Sequence, residues 1–255
     1  MIRNIKLVLE YDGASFFGFQ RQPGKPTIQE ALEKALSGFF DRKMKIASAS
    51  GRTDTGVHAE GQVVHFKTDS GRSLYQIQKG LNAHLPPSIA VKSVEEVPED
   101  FHARYSARSK IYEYRVWNHP CRSPLLAGRV HHIAYPLDSA AMRRAAKYLV
   151  GRHDFRSFTS ESAVRKGRKR KDVSFVRIIK KLRIDKKGDL LVFRFEADGF
   201  LYHMVRNMVG TLLEVGRGKR EPSDMKAILD SRARRFSGVT APPAGLTLHR
   251  VDYTS

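Results

Sequence analysis

An α+β fold of two ferredoxin-like halves is predicted from two features of the sequence. The element order β-α-β-β-α-β can be read twice along the chain, and the helical stretches carry their apolar residues on one face. With 255 residues, 41% of them hydrophobic, there is enough apolar material for two ordinary domains or one large one. Such halves form antiparallel sheet with helices on one side. Their join, a natural place for an active-site cleft, falls near residues 98–110, which suggests halves spanning residues 1–105 and 106–255.

In the first half, residues 5–11 form an apolar-rich strand that ends at the turn signal Asp12-Gly13. Thr27 followed three residues later by Glu30 is a capping-box signature. Behind it, Ile28, Ala31, Leu32, Ala35, Leu36 and Phe39 recur at helical spacing. Residues 45–50 and 62–67 read as strands, the second marked by the β-branched pair Val63-Val64. Leu74, Ile77, Gly80 and Leu81 suit a second helix, stopped by Pro86-Pro87. Residues 89–97 close the half as a strand.

The second half repeats the order. Residues 111–117 form a strand, and Asp138 caps a helix whose inner face is Met142, Ala145, Ala146 and Leu149. Residues 176–184 and 190–196 are strands joined by the turn Lys187-Gly188-Asp189. A long helix carries Leu201, Met204, Val205, Met208, Val209 and Leu212, and its end near Gly216 suits a left-handed cap. A shorter helix starts at Pro222, and residues 246–251 supply the last strand.

Composition narrows the function classes. The single cysteine, Cys121, rules out an internal disulfide and zinc sites built on paired cysteines. Arg3, Lys6 and Glu10 interrupt the N-terminus too often for a signal-peptide core, and no apolar run reaches membrane-spanning length. A reduced, cytoplasmic setting without a membrane partner is therefore expected. The 46 Lys and Arg against 26 Asp and Glu give a net charge of +20, which implies a polyanionic partner, nucleic acid above all. Residues 165–187 hold twelve Lys or Arg against two Asp, most densely at residues 165–171. Further clusters follow at Arg217, Lys219 and Arg220 and at Arg232, Arg234 and Arg235. That spread suits a surface following a folded RNA backbone.

One segment, Ser50-Gly51-Arg52-Thr53-Asp54-Thr55-Gly56-Val57-His58-Ala59, follows a strand and is framed by glycines. An extended backbone there would place Arg52 and Asp54 on one side. A carboxylate beside a guanidinium stays ionised and can attack carbon or take a proton; the local alternative is a turn aspartate bonded to nearby amides. His58-Ala59-Glu60 has the H-x-E spacing of a zinc deaminase, but P-C-x-x-C is missing and that chemistry is excluded. His65 and His203 lack metal-ligand spacing to other donors and read as structural histidines. No glycine-rich nucleotide loop follows a strand, which weighs against a methyltransferase. On charge alone, a non-catalytic RNA-binding or chaperone protein stays open.

Residues 51–59 resemble the active-site signature of the bacterial tRNA pseudouridine synthase A (TruA) family. Similar blocks run in order along nearly the whole chain. They are Tyr11-Asp12-Gly13 with Gly18-Phe19-Gln20-Arg21-Gln22, Thr27-Ile28-Gln29, Gly80-Leu81-Asn82, and residues 101–107 with Tyr112-Glu113-Tyr114. Residues 151–158, 204–210 and 245–248 complete the set. Phe19 and Thr247 stand where the family often has Trp and Tyr. Lys110 lies where arginine is usual, and residues 165–171 are more basic than the family's loop.

The resemblance implies an isomerase without cofactor or metal that converts uridine to pseudouridine in tRNA, at positions 38, 39 and 40 of the anticodon stem-loop, acting as a homodimer. Asp54 would be the nucleophile, with attack on sugar or on base left open. Tyr112 would lie against the target uracil and take the C5 proton. Arg206 would pair with Asp54, and Arg52 would hold the target nucleotide out of its stack.

Overall fold

The computed structural model describes residues 1–160 and 174–253, so the basic run at residues 165–171 lies outside the described residues. The chain divides into two compact units, Met1–Arg108 with Thr247–Ser255, and Ser109–Leu246.

The first unit contains β1 (Arg3–Tyr11), α1 (Ile28–Phe40), β2 (Ser48–Ala49), β3 (His58–Thr68), α2 (Leu74–His84) and β4 (Ile89–Val97). Its strands run β4-β1-β3, with β2 on β3, all antiparallel. Ile5 sits opposite Phe66 and Leu7 opposite Val64, all of them buried, and Phe40 of α1 meets the Phe66 ring at 5.9 Å. The helices thus cover the Leu7–Val64 face, where Leu32, Leu36, Ile77 and Leu81 complete the core. Burying each such side chain contributes roughly 1.5–3 kcal/mol. By alternation Lys6, Val8, Val63 and His65 point to the other face.

Thr27 caps α1 as expected, its hydroxyl accepting from Glu30 N at 3.3 Å. A complete capping box forms at α2, where Ser73 Oγ accepts from Gln76 N and Gln76 Oε1 accepts from Ser73 N. Two strand boundaries differ from the sequence reading. β2 shrinks to two residues, and β3 starts at His58 rather than at residue 62. The stretch His58-Ala59-Glu60-Gly61 has little intrinsic β preference and is drawn into the sheet by its tertiary pairings.

The second unit contains β5 (Ser109–Asn118), β6 (His131–Ile133), α3 (Ser139–Ala146), β7 (Gly151–Asp154), β8 (Val176–Lys187), β9 (Leu190–Ala197), α4 (Met204–Gly216) and α5 (Asp224–Ser231). Its sheet runs β5-β9-β8-β7, antiparallel, with β6 parallel to β5. With the short β6 and β7 left out, the order β5-β9-β8 repeats the first-third-second order of β1-β3-β2 in the first unit. β8 and β9 turn at Gly188, whose φ is 59°. Asp138 caps α3 by accepting from Ala140 N at 2.8 Å and Ala141 N at 2.9 Å. The short β6 and β7 were invisible to a pattern reading.

α4 is buried on almost every side. It starts at Met204, leaving Leu201 before the helix. Its end also differs from expectation: Gly216 is still helical, and the left-handed glycine is Gly218, at φ 73°. Gly216 meets a packing demand instead, since a Cβ there would lie 2.7 Å from Met142 Sδ of α3.

The final strand, β10 (Leu246–Asp252), runs parallel to β3, with Thr247 beside His58 and Leu248 beside Ala59. Residues from Thr247 on group with the first unit, although they follow the second in sequence. The fold is thus mixed α+β with mostly antiparallel strand pairing. Among the described residues, no helix is long and apolar enough to cross a membrane.

Candidate active site

The segment between β2 and β3 is built on a buried polar base. Gln62 of β3 uses its whole side-chain amide: Oε1 accepts from Ser50 Oγ at 2.6 Å and Val63 N at 3.1 Å, and Nε2 donates to Gly51 O at 3.0 Å and Tyr11 OH at 3.4 Å. The Tyr11 hydroxyl, which accepts from Gln62, also shares a hydrogen bond with Thr53 Oγ1, 2.8 Å away. Burial pushes the Tyr11 phenol up to about 12, against the opposing pull of Thr53 and Gln62, so it stays a neutral donor.

The loop after β1 clamps the segment from the other side. Phe19 N donates to Thr53 O at 3.0 Å and Gly56 N to Phe16 O at 3.4 Å. Gly18 is required here: its φ is +83°, and a Cβ would approach Thr53 O to 2.8 Å. The clamp fixes the backbone on both sides of Asp54. Val57 N donates to Asp54 O at 3.1 Å, closing a turn whose third residue, Gly56, has φ 76°. Of the two framing glycines in the sequence, Gly56 is the one with positive φ. Thr53 turns into the interior, leaving Arg52 exposed and Asp54 half-buried beside it.

The other two predicted site residues belong to the second unit. Tyr112 is buried on β5 opposite Phe195 of β9, and its ring meets the edge of Phe200 at 5.1 Å and 85°. Two residues on, and therefore on the same strand face, Tyr114 donates from its OH to Pro242 O at 2.8 Å. Burial pushes the Tyr114 phenol up, with the Arg206 charge opposing it. Arg206 Nε donates to Ala241 O at 2.7 Å, and Arg206 O accepts from Ala241 N at 3.1 Å. Side chain and backbone of Arg206 are thus both tied to Ala241.

Supporting residues escaped the sequence reading. Fully buried Asn207 donates to Phe158 O at 2.8 Å and accepts from Arg234 Nη2 at 3.1 Å and Thr240 Oγ1 at 2.7 Å. Arg234, read from sequence as part of a basic surface cluster, is thus a half-buried strut that also donates to Ser237 Oγ at 2.8 Å. Arg232 and Arg235 are exposed, as are Lys180, Lys181, Arg183, Lys186 and Lys187 along β8. Tyr11 and Asn207 fall inside family blocks of the sequence, but nothing local marks them, or Gln62, as supports of the site.

His65 Nδ1 accepts from Ala103 N at 3.3 Å, and His203 Nδ1 lies 2.8 Å from Ser160 Oγ, so both are bonded within the fold. Among the described residues, no three His, Cys, Asp or Glu side chains are grouped to hold a metal ion.

Comparison with known proteins adds a further finding. The sequence matches the family described as tRNA pseudouridine synthase over residues 7–106 and 145–254. The tRNA pseudouridine synthase A of Geobacillus sp. is 46% identical over 99% of this chain and 99% of its own length. Its counterpart in Burkholderia mallei is 45% identical over 98% of this chain and 89% of its own length. That of Colwellia psychrerythraea is 44% identical over 97% and 92%.

Proposed function

This chain belongs to the tRNA pseudouridine synthase family, and we propose that Asp54 is its nucleophile. The protein is an isomerase that converts uridine to pseudouridine in tRNA. The conversion balances within one nucleotide. The bond from uracil N1 to ribose C1′ breaks, the bond from C5 to C1′ forms, the C5 proton leaves, and N1 gains a proton. No oxidant, reductant or energy source enters that stoichiometry.

The observation that carries the assignment is the clamped segment 50–57. It holds one half-buried carboxylate, flanked by exposed Arg52, on a backbone pinned through Thr53, Gly56 and Val57. A preorganised charged group needs no rearrangement as the reaction starts. Arg52 contacts the RNA backbone and helps keep the target nucleotide unstacked, offsetting part of an extrusion cost of a few kcal/mol. Tyr112 lies against the uracil and receives the C5 proton. Arg206 is the charge partner of the nucleophile. Family resemblance supports the anticodon stem-loop as the site of modification, a homodimeric assembly, a cytoplasmic setting, and chemistry without metal or cofactor.

Tritium release from C5-labelled uridine in tRNA tests the assignment. Asp54→Asn is expected to bind tRNA within about twofold of wild type, because one neutralised carboxylate removes no phosphate contact. It is expected to release no label. Normal release from that variant would remove Asp54 from the chemistry.

A further inference from the structure

Residues 98–107 cross the helix-free face of the first unit's sheet, the face to which Lys6, Val8, Val63 and His65 point. Phe101 and His102 pack edge-on against the His65 ring at 5.9 and 5.1 Å, and Phe101 meets Tyr253 at 5.0 Å. This layer carries one outer ring: Tyr105 is stacked on His102 with centroids 4.4 Å apart and planes 28° apart. Tyr105 is nevertheless 77% exposed.

The ring beneath it is held firmly. His102 Nδ1 accepts from Arg104 N and Tyr105 N, each at 3.2 Å. The His102 backbone N donates to Ser106 Oγ at 3.1 Å, and its carbonyl accepts from Ser106 N at 2.9 Å. One face of the tyrosine is thus backed by an imidazole that two hydrogen bonds hold directly, on a backbone tied by two more. The Arg104 guanidinium lies 5.8 Å from the Tyr105 centroid.

A surface aromatic usually gains by folding down onto apolar neighbours, whereas this one stands out on a fixed support. A rigid flat ring with a cation beside it matches what an unpaired nucleobase and its adjoining phosphate need, stacking on one group and charge from the other. With a net charge of +20 and an RNA substrate, the occupant of matching chemistry is a nucleobase. We propose that Tyr105 is a stacking platform for an unpaired base of the bound RNA, a contact separate from the residues assigned to the chemistry. The proposal rests on the tRNA reading above.

The test uses the full-length protein and unmodified tRNA. Wild type has one tryptophan, Trp117, which supplies the background signal for a Tyr105→Trp variant. Saturable quenching of the added fluorescence on titration with tRNA is expected, since stacking on a base quenches indole. Tyr105→Ala should bind tRNA about 5- to 150-fold more weakly, and Tyr105→Phe should restore affinity to within about twofold. An unquenched Tyr105→Trp variant, or a Tyr105→Ala variant with wild-type affinity, overturns the platform. So does a change in sedimenting mass at unchanged tRNA affinity, which would assign this face to protein contact. Tritium release by wild type in the same preparation separates the two ideas: release with a silent Tyr105→Trp variant leaves the enzymatic reading intact, whereas absent release indicts that reading itself.

Discussion

Tyr11 stands outside the proposed chemistry but supports the segment that carries it. Its hydroxyl is one of the supports of Thr53, and Thr53 immediately precedes the proposed nucleophile. Tyr11→Phe keeps the ring packing but deprives two buried polar groups of a partner, a cost of about 1–3 kcal/mol in stability. If the hydroxyl also positions Asp54, kcat should fall several-fold below what the remaining folded protein accounts for, with KM for tRNA little changed. Urea melts beside steady-state assays decide this, and a purely structural role would lower stability alone. Tyr112→Phe asks the complementary question. The ring should still support substrate binding, while label release should drop steeply for want of a proton acceptor; wild-type turnover would exclude the phenol from proton transfer.

At the level of elements, the caps and turns were more legible than the strand ends. Thr27 and Asp138 cap as their sequence context predicts, because an N-cap is a local contract between one side chain and amides two or three residues on. Thr27→Ala is accordingly expected to lower global stability by about 1 kcal/mol, measured by chemical denaturation; no loss would mean that α1 is held by packing alone. Gly216 illustrates the opposite case. Sequence suggested a left-handed cap, but the glycine is set by contact with Met142, 70-odd residues away and beyond any local rule. β2 and β3 were misjudged for the same reason, since pairing partners, not propensity, decided their length.

For the whole molecule, charge dictates behaviour toward RNA and burial dictates behaviour toward acid. Replacing Lys169, Arg170 and Lys171 with neutral residues should weaken tRNA binding and lower the slope of log affinity against log salt by about 2–3 if each contacts a phosphate. An unchanged slope would show that the run does not touch RNA. Desolvation holds both His65 and His131 below their ordinary value, aided by His102 and His132 respectively. The unfolded chain takes up these protons first, near pH 6.5, so the contribution of the neutral rings is fully present above that pH and is lost as pH falls below it. Thermal melts should therefore shift downward on acidification from pH 7 to 5.5, and less so in a His65→Gln variant. An equal shift in that variant would clear His65 of the effect.

Composition and short-range pattern sufficed for the mixed α+β class, the cationic character, the N-caps at Thr27 and Asp138, the order of the longer elements and the loop bearing Asp54 and Arg52. Each of these depends on composition or on residues close together in the chain. Only the folded chain shows that Gln62 and Tyr11 lie beneath that loop, that Arg234 is a half-buried strut, and that the strand following the second unit groups with the first. Those outcomes turn on which side chains meet after the sheets have formed. A buried amide such as Gln62 has no signature of its own until the groups that satisfy it are folded around it.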